Sequence, residues 1–290
     1  MSTSPLAAPL FARLVDDAAM FPPGNAAALH AIRTHLRYRS SGLDPYVGPL
    51  LVHRDRWDEM AAAHIELGSP QLHVVVVGGH RVPSAVPAGI RVLGFEQPVD
   101  RPPLPAAEDG LPIACEVTAD EAGFEVLAEV ASAAADGDAV VGKFRTGGTD
   151  VTAFPDEPTV AAVVAEAVRV RAPLKFTAGL HHAVRFTDPG TGFEHHGFLN
   201  LLVATELADA GALIADIVEV LGSRDGQVLA DIVRGWTAAQ VGTVRRTFTS
   251  FGCCGVEEPI RDLVELGLIE APRSTYPTER VESLARRELR

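Results

Sequence analysis

Ala139-Val140-Val141-Gly142-Lys143-Phe144-Arg145-Thr146-Gly147-Gly148 and, further on, Leu174-Lys175-Phe176-Thr177-Ala178-Gly179-Leu180-His181-His182 are the stretches from which the fold is read. Each is a short apolar run that reaches a lysine and then turns through Thr and Gly. Between them Asp156 to Val170 has helical spacing, with acidic residues in the first turn where the helix dipole favours them. Two apolar strands joined by a helix are the repeating unit of a parallel sheet covered on both faces. The two stretches also hold the only two lysines among 290 residues, against 23 arginines. Guanidinium stays charged, whereas a buried ammonium shifts its pKa readily, so lysine is retained where an amine has to lose its proton. Two lysines left over as ordinary ion-pair partners are the other reading. Their equivalent positions in neighbouring units favour chemistry.

The same pattern extends in both directions. Leu14 to Phe21 is the first and weakest strand, ending at Pro22-Pro23-Gly24, and Asn25 can cap a helix from Ala26 to about Arg39. Tyr46 to His53 and Leu72 to Val77 are strands, with helical spacing from Trp57 to Leu67 between them. Arg91 to Phe95 and Ile113 to Val117 follow, separated by the Pro-rich Pro98 to Pro112. Asp120 to Ala135 has the spacing of a helix. Beyond the second lysine, helices are expected over Gly197 to Ala210, Ala212 to Leu221 and on to about Arg246, before a last strand at Thr247 to Phe251. Eight strands alternating with helices predict an α/β protein, a (β/α)8 barrel formed from residues 1–290 as one domain. The links after strands three and four are too short or too Pro-rich for full helices, so the barrel is expected to be irregular around strands three to five. Extra helices precede the last strand, and Val281 to Arg290 is expected as a short helical tail. No Gly-rich nucleotide loop follows the first strand, which weakens the doubly wound alternative.

Composition limits the partners. A net charge of −13 argues against nucleic acid and against anionic membrane surfaces, which call for a basic face. No apolar run is long enough to span a bilayer. Met1 to Leu10 lacks the positive region of a secretory signal. Cys115, Cys253 and Cys254 are an odd count without C-x-x-C spacing, as expected of reduced thiols in a cytoplasm. The expected partner is a small-molecule substrate, with a homo-oligomer left open.

In such barrels functional groups sit at the C-terminal ends of the strands. Alternation places Lys143 and Arg145 on the inner face of their strand and Phe144 on the outer, and likewise Lys175 and Thr177 inward with Phe176 outward. Two ammonium groups on adjacent strands, partly desolvated, favour loss of one proton. Glu116 points inward with Ala114, facing Lys143 as counter-charge or proton carrier; a structural ion pair holding Arg145 is the alternative. Glu96 ends its own strand at the same rim.

Lys143-Phe144-Arg145-Thr146-Gly147 resembles the K-x-x-T-G of deoxyribose-phosphate aldolases, and Lys175-Phe176-Thr177-Ala178-Gly179 resembles that family's next-strand segment. The resemblance covers these two short pieces. It implies a barrel-fold class I aldolase in which Lys143 forms a Schiff base with the substrate and Lys175 lowers the pKa of Lys143, without a cofactor. Glu96 or Glu116 would stand for the family's catalytic aspartate. The family's Gly-rich phosphate-binding continuation is replaced here by Leu180-His181-His182, which puts a phosphorylated substrate in doubt.

Other residues join the mouth in this reading. His181 is a candidate for proton transfer, and Arg145, Thr177, Glu96, His53, His196 and Asn200 are candidates for holding substrate. A second reading gathers His181, His195, His196 and Glu116 around one divalent metal ion, for a lyase, isomerase or hydrolase; their spacing matches no recognised metal motif. A third is a non-catalytic small-molecule-binding barrel. Asp16-Asp17 supplies either a carboxylate to the mouth or a surface cap. Ser250-Phe251-Gly252-Cys253-Cys254-Gly255 ends the last strand, where backbone N–H groups bind anions in many barrels. No spacing pairs the cysteines with a histidine, so packing is their expected role.

Overall fold

The computed structural model describes residues 7–106 and 110–272. The expected tail from Val281 lies outside them. Eight parallel strands close into a barrel: β1 (Val15–Asp17), β2 (Val47–His53), β3 (Leu72–Val77), β4 (Ile90–Pro98), β5 (Ile113–Val117), β6 (Val140–Arg145), β7 (Leu174–Thr177) and β10 (Phe248–Cys253). β1 closes the ring by pairing with both β2 and β10. A two-stranded antiparallel hairpin, β8 (Phe186–Thr187) and β9 (Glu194–His195), stands apart from the barrel.

Helices fill the crossovers where the sequence has room for them. After the short α1 (Ala7–Phe11), α2 (Ala28–Arg39) and α3 (Trp57–Glu66) follow β1 and β2, while α4 (Glu121–Ala135) and α5 (Glu157–Val170) follow β5 and β6. Each of the latter pair starts at an aspartate. Asp120 accepts from the Gly123 amide at 2.9 Å, and Asp156 from the Thr159 amide at 3.0 Å, satisfying donors that a helix start leaves open. No α-helix lies among the described residues between β3 and β4 or between β4 and β5, as the lengths and prolines of those links predicted. Four helices, α6 (Phe198–Asp209), α7 (Ile214–Gly222), α8 (Gly226–Arg234) and α9 (Ala238–Thr247), separate β7 from β10, and α10 (Glu257–Glu265) follows β10.

α6 is buried without a break from Phe198 to Thr205, because α5, α7, α8 and α9 pack around it while Phe198 stacks on Phe251 of the barrel at 5.0 Å. Its apolar character on all sides is that of a core helix. Among the described residues no helix is long and apolar enough to cross a membrane.

Three strands differ from expectation at their ends, each because a neighbour continues or withdraws pairing. β1 stops at Asp17, after which the chain leaves the sheet and Phe21 and Pro22 join the wall of the mouth. β4 runs on to Pro98, since Gln97 and Pro98 still face Cys115 and Glu116 of β5, so Glu96 lies within its strand. β10 runs to Cys253, paired with Asp17 of β1. Phe251 to Cys253 therefore belong to the sheet rather than to an anion-binding loop.

Candidate active site

Strand register builds the site. Glu116, Lys143 and Lys175 are successive partners across β5, β6 and β7, and alternation sends all three side chains into the barrel. Lys143 Nζ lies 2.9 Å from Glu96 Oε2 and 2.9 Å from Glu116 Oε2. Lys175 Nζ lies 2.6 Å from Asp16 Oδ2 and also donates to Glu96 Oε1. Arg145 closes on Glu116 with N–O distances of 3.3 and 3.4 Å. The result is one file of alternating charge through the interior: Asp16, Lys175, Glu96, Lys143, Glu116, Arg145. Ser250 Oγ adds a hydrogen bond to Asp16 Oδ2 at 2.9 Å.

Burial and these pairs act against each other. Burial works to raise the Glu96 carboxyl, but Lys143 and Lys175 together outweigh it and hold the group down at about 2. At Glu116 burial is again overcome, by Lys143 and then Arg145, and the carboxyl falls below its ordinary value. Asp16 has less help: desolvation exceeds the pull of Lys175 and its pKa is raised. Burial would lower Lys175, yet Asp16 and Glu96 raise it above an ordinary lysine. The repulsion expected between the two lysines is therefore screened. Glu96 stands between them, and Lys175 is a firmly held cation.

The turns after the two lysine strands explain the shared Thr and Gly. Thr146 donates its amide to Thr177 O at 2.9 Å and its hydroxyl to Ala178 O at 2.7 Å. A Cβ on Gly147 would lie 2.9 Å from Gly179 Cα, so the two loops touch backbone to backbone. Ala178 and Gly179 both adopt positive φ, 63° and 77°, the conformation that tolerates glycine best.

Above the charges is a cavity of about 370 Å³ lined by Glu96, Lys143 and Arg145, with Thr177, His181 and Cys254 on its walls. Lys175 is absent from that lining and sits behind Glu96. A second recess of about 430 Å³ continues outward past Gly179 and His181 to Phe154, Phe186, Phe193 and His195. Phe154 packs on Phe193 at 5.2 Å and on His195 at 4.6 Å, so the β8–β9 hairpin forms an aromatic wall.

The histidines divide. His181 faces the cavity, with Nδ1 2.8 Å from Glu258 Oε2 and Nε2 3.6 Å from Cys254 Sγ. The Cys253 and Cys254 sulfurs, against the opposing effect of burial, raise its pKa well above that of ordinary imidazole. His182 turns to Asp262 at 3.0 Å, which raises it too. His195 donates from Nδ1 to Gly179 O, 3.0 Å away, and lines only the outer recess. Burial lowers the pKa of His195 and of His196.

Three candidates for substrate contact lie elsewhere. His196 is fully buried behind the loop, 2.7 Å from Pro155 O. Asn200 is buried as well and donates to Val220 O and Ser223 O, both at 2.8 Å, while accepting from the Arg185 amide. Both act as internal braces because the loop folds over them. His53 reaches the rim, where its ring stands edge-on to Phe21 at 6.4 Å and its Nδ1 accepts from the Asp55 amide, outside the cavity lining. Glu96, expected to hold substrate, has its two oxygens on the two lysines.

The metal set expected from His181, His195, His196 and Glu116 does not assemble, since Glu116 is bound to Lys143 and Arg145 and His196 points into the core. Among the described residues, one group has ligand atoms near enough for an ion: His181, Cys253 and Glu258, within 4.8 Å of one another. Asp16 resolves its two readings as the inner carboxylate. Asp17, one residue on, faces the helix layer and pairs with buried His35 at 3.0 Å. Parity along β1 carries that distinction. Cys254 and Glu258 had no such signal, because their partner His181 comes from a different loop.

Fold and site define a TIM-type (β/α)8 barrel whose interior holds two lysines among three carboxylates. No protein-family model and no curated protein matches the chain.

Proposed function

We propose that the protein is a carbon–carbon lyase of the class I aldolase type, acting through a Schiff base at Lys143 on a small oxygenated carbonyl compound. One observation carries the reading: both lysines are buried, but Lys143 lines the floor of the cavity, in contact with two carboxylates, while Lys175 is not part of that lining and lies beyond Glu96. The Lys143 amine, after passing a proton to Glu116 across their 2.9 Å ion pair, attacks the substrate carbonyl carbon. The carbinolamine takes the proton back on its hydroxyl and loses water, leaving an iminium. That cation accepts the electron pair of the breaking carbon–carbon bond, and the neighbouring hydroxyl gives up its proton to Glu116, a carboxylate again after the dehydration, as its carbon becomes an aldehyde. The enamine is then protonated at carbon and hydrolysed.

Other side chains support these steps. Lys175 is a fixed positive charge that keeps Glu96 ionised beside the reacting nitrogen. Arg145, nearly half exposed, is placed to hold an anionic group of the substrate, and the Thr177 hydroxyl a neutral one. The cavity volume limits the substrate to a small molecule.

Borohydride reduction in the presence of a panel of small hydroxy-aldehydes and hydroxy-ketones tests the proposal. Mass fixed on Lys143, found by peptide mapping, is the expected result. Reduction that fixes nothing with any member, or fixes mass on Lys175, overturns the assignment.

A further inference from the structure

We infer that Cys254, His181 and Glu258 form a second reactive centre in the same mouth, a thiol–imidazole–carboxylate relay whose ligand is an aldehyde. The three groups come from three places: the end of β10, the loop after β7, and the first turn of α10. They meet in functional order. Glu258 Oε2 is 2.8 Å from His181 Nδ1, and Cys254 Sγ is 3.6 Å from Nε2 on the other side of the ring. A carboxylate at one ring nitrogen fixes the tautomer and steadies the cation formed when the other nitrogen takes the thiol's proton. Cys254 and His181 line the same cavity as Lys143, and Cys254 is partly exposed while Cys115 and Cys253 are buried. The packing argues for one accessible thiol out of three.

The surroundings of His181 sustain a cation on that ring. Glu258 faces Nδ1, Cys253 Sγ lies 4.0 Å from it, and Asp262 holds the adjoining His182. His195, across the recess at 6.4 Å between ring centres, is the nearest ring on the hairpin side, and burial lowers its pKa.

These groups suffice for reversible addition to an aldehyde. The Cys254 sulfur forms a bond to the carbonyl carbon, the carbonyl π pair moves to oxygen, and that oxygen takes the proton His181 had received from the thiol. The product is a neutral thiohemiacetal, with no oxidant, reductant or leaving group involved. That the natural aldehyde is a fragment of carbon–carbon cleavage at Lys143 rests on the proposed lyase reading; the relay itself does not.

Iodoacetamide labelling followed by peptide mapping, at about pH 6.5 and so below the ordinary thiol value of about 8.5, tests the relay. Cys254 is expected to react at least about tenfold faster than Cys115 or Cys253. His181→Gln should slow it by about tenfold, and Glu258→Gln, a change near the surface that spares the ring, by a smaller factor. Excess glycolaldehyde should slow labelling of Cys254 reversibly, and equally in Lys143→Arg, where no Schiff base can form. Unchanged labelling in both relay variants would overturn the inference. So would glycolaldehyde protection that disappears in Lys143→Arg, which assigns the aldehyde to the lysine. Stoichiometric zinc retained by the protein and lost in Cys253→Ser would replace the relay with a metal site built on His181, Cys253 and Glu258.

Discussion

Replacing Lys175 with methionine tests the file of interior charges most directly. Lys175 Nζ neutralises Asp16 at 2.6 Å and shares Glu96 with Lys143, and its side chain is 6% exposed. Methionine fills similar space without the charge. Removing one member of a buried ion pair costs about 3–5 kcal/mol, because the partner is left charged and unsolvated. With an unfolding entropy of about 2.1 cal/mol/K per residue over a chain of this length, that corresponds to a Tm lower by about 5–8 °C.

The deficit has a defined pH dependence. Glu96 is depressed from an ordinary 4.5 to about 2 in the folded protein. It therefore contributes stability that is present above about pH 4.5 and lost as pH falls towards 2. Asp16 is raised even with Lys175 in place, so without the lysine it is the group that protonates first in the fold. Differential scanning calorimetry between about pH 3 and 8 should show the full deficit at neutrality and a narrowing gap in acid. Adding Asp16→Asn to Lys175→Met should recover about half of the loss, since the uncompensated charge is then gone. A Tm change at neutral pH of less than about 2 °C, or a gap that widens in acid, would refute the reasoning.

Three further outcomes follow from the same geometry. Lys143→Arg should keep the ion pairs to Glu96 and Glu116 yet abolish both turnover and borohydride trapping, because guanidinium does not condense with a carbonyl; Lys175→Arg, in the tuning position, should retain measurable turnover. Dialysis against a chelator should leave turnover on the trapped substrate unchanged, and activity restored by a single divalent ion would move the chemistry to a metal mechanism. Gly147→Ala should lower stability by about 1–3 kcal/mol, read as a Tm shift, because its new methyl meets the backbone of Gly179 at 2.9 Å, and backbone cannot swing aside as a side chain can.

Much of this molecule is legible from local physics. The β-branched run of Leu72–Val77, the aspartate caps of α4 and α5, and the alternation of Lys143, Phe144 and Arg145 act within a few residues, so they determine strands, helices and inward faces before any long-range contact forms. Parity likewise turned Lys143, Lys175 and Glu116 into the barrel interior. Closure of the barrel decided the rest. Lys175 meets Glu96 across 79 positions of sequence and Asp16 across 159, and only the ring of eight registers determines that a carboxylate, rather than a bare second ammonium, faces each lysine. The same holds for His181, which finds Cys254 and Glu258 after more than seventy intervening positions, while its neighbours His196 and Asn200 turn into the core to brace a folded loop. Spacing along a chain records which way a side chain points on its own strand; which charge it meets depends on the strand beside it and the wall opposite, and those are properties of the closed sheet.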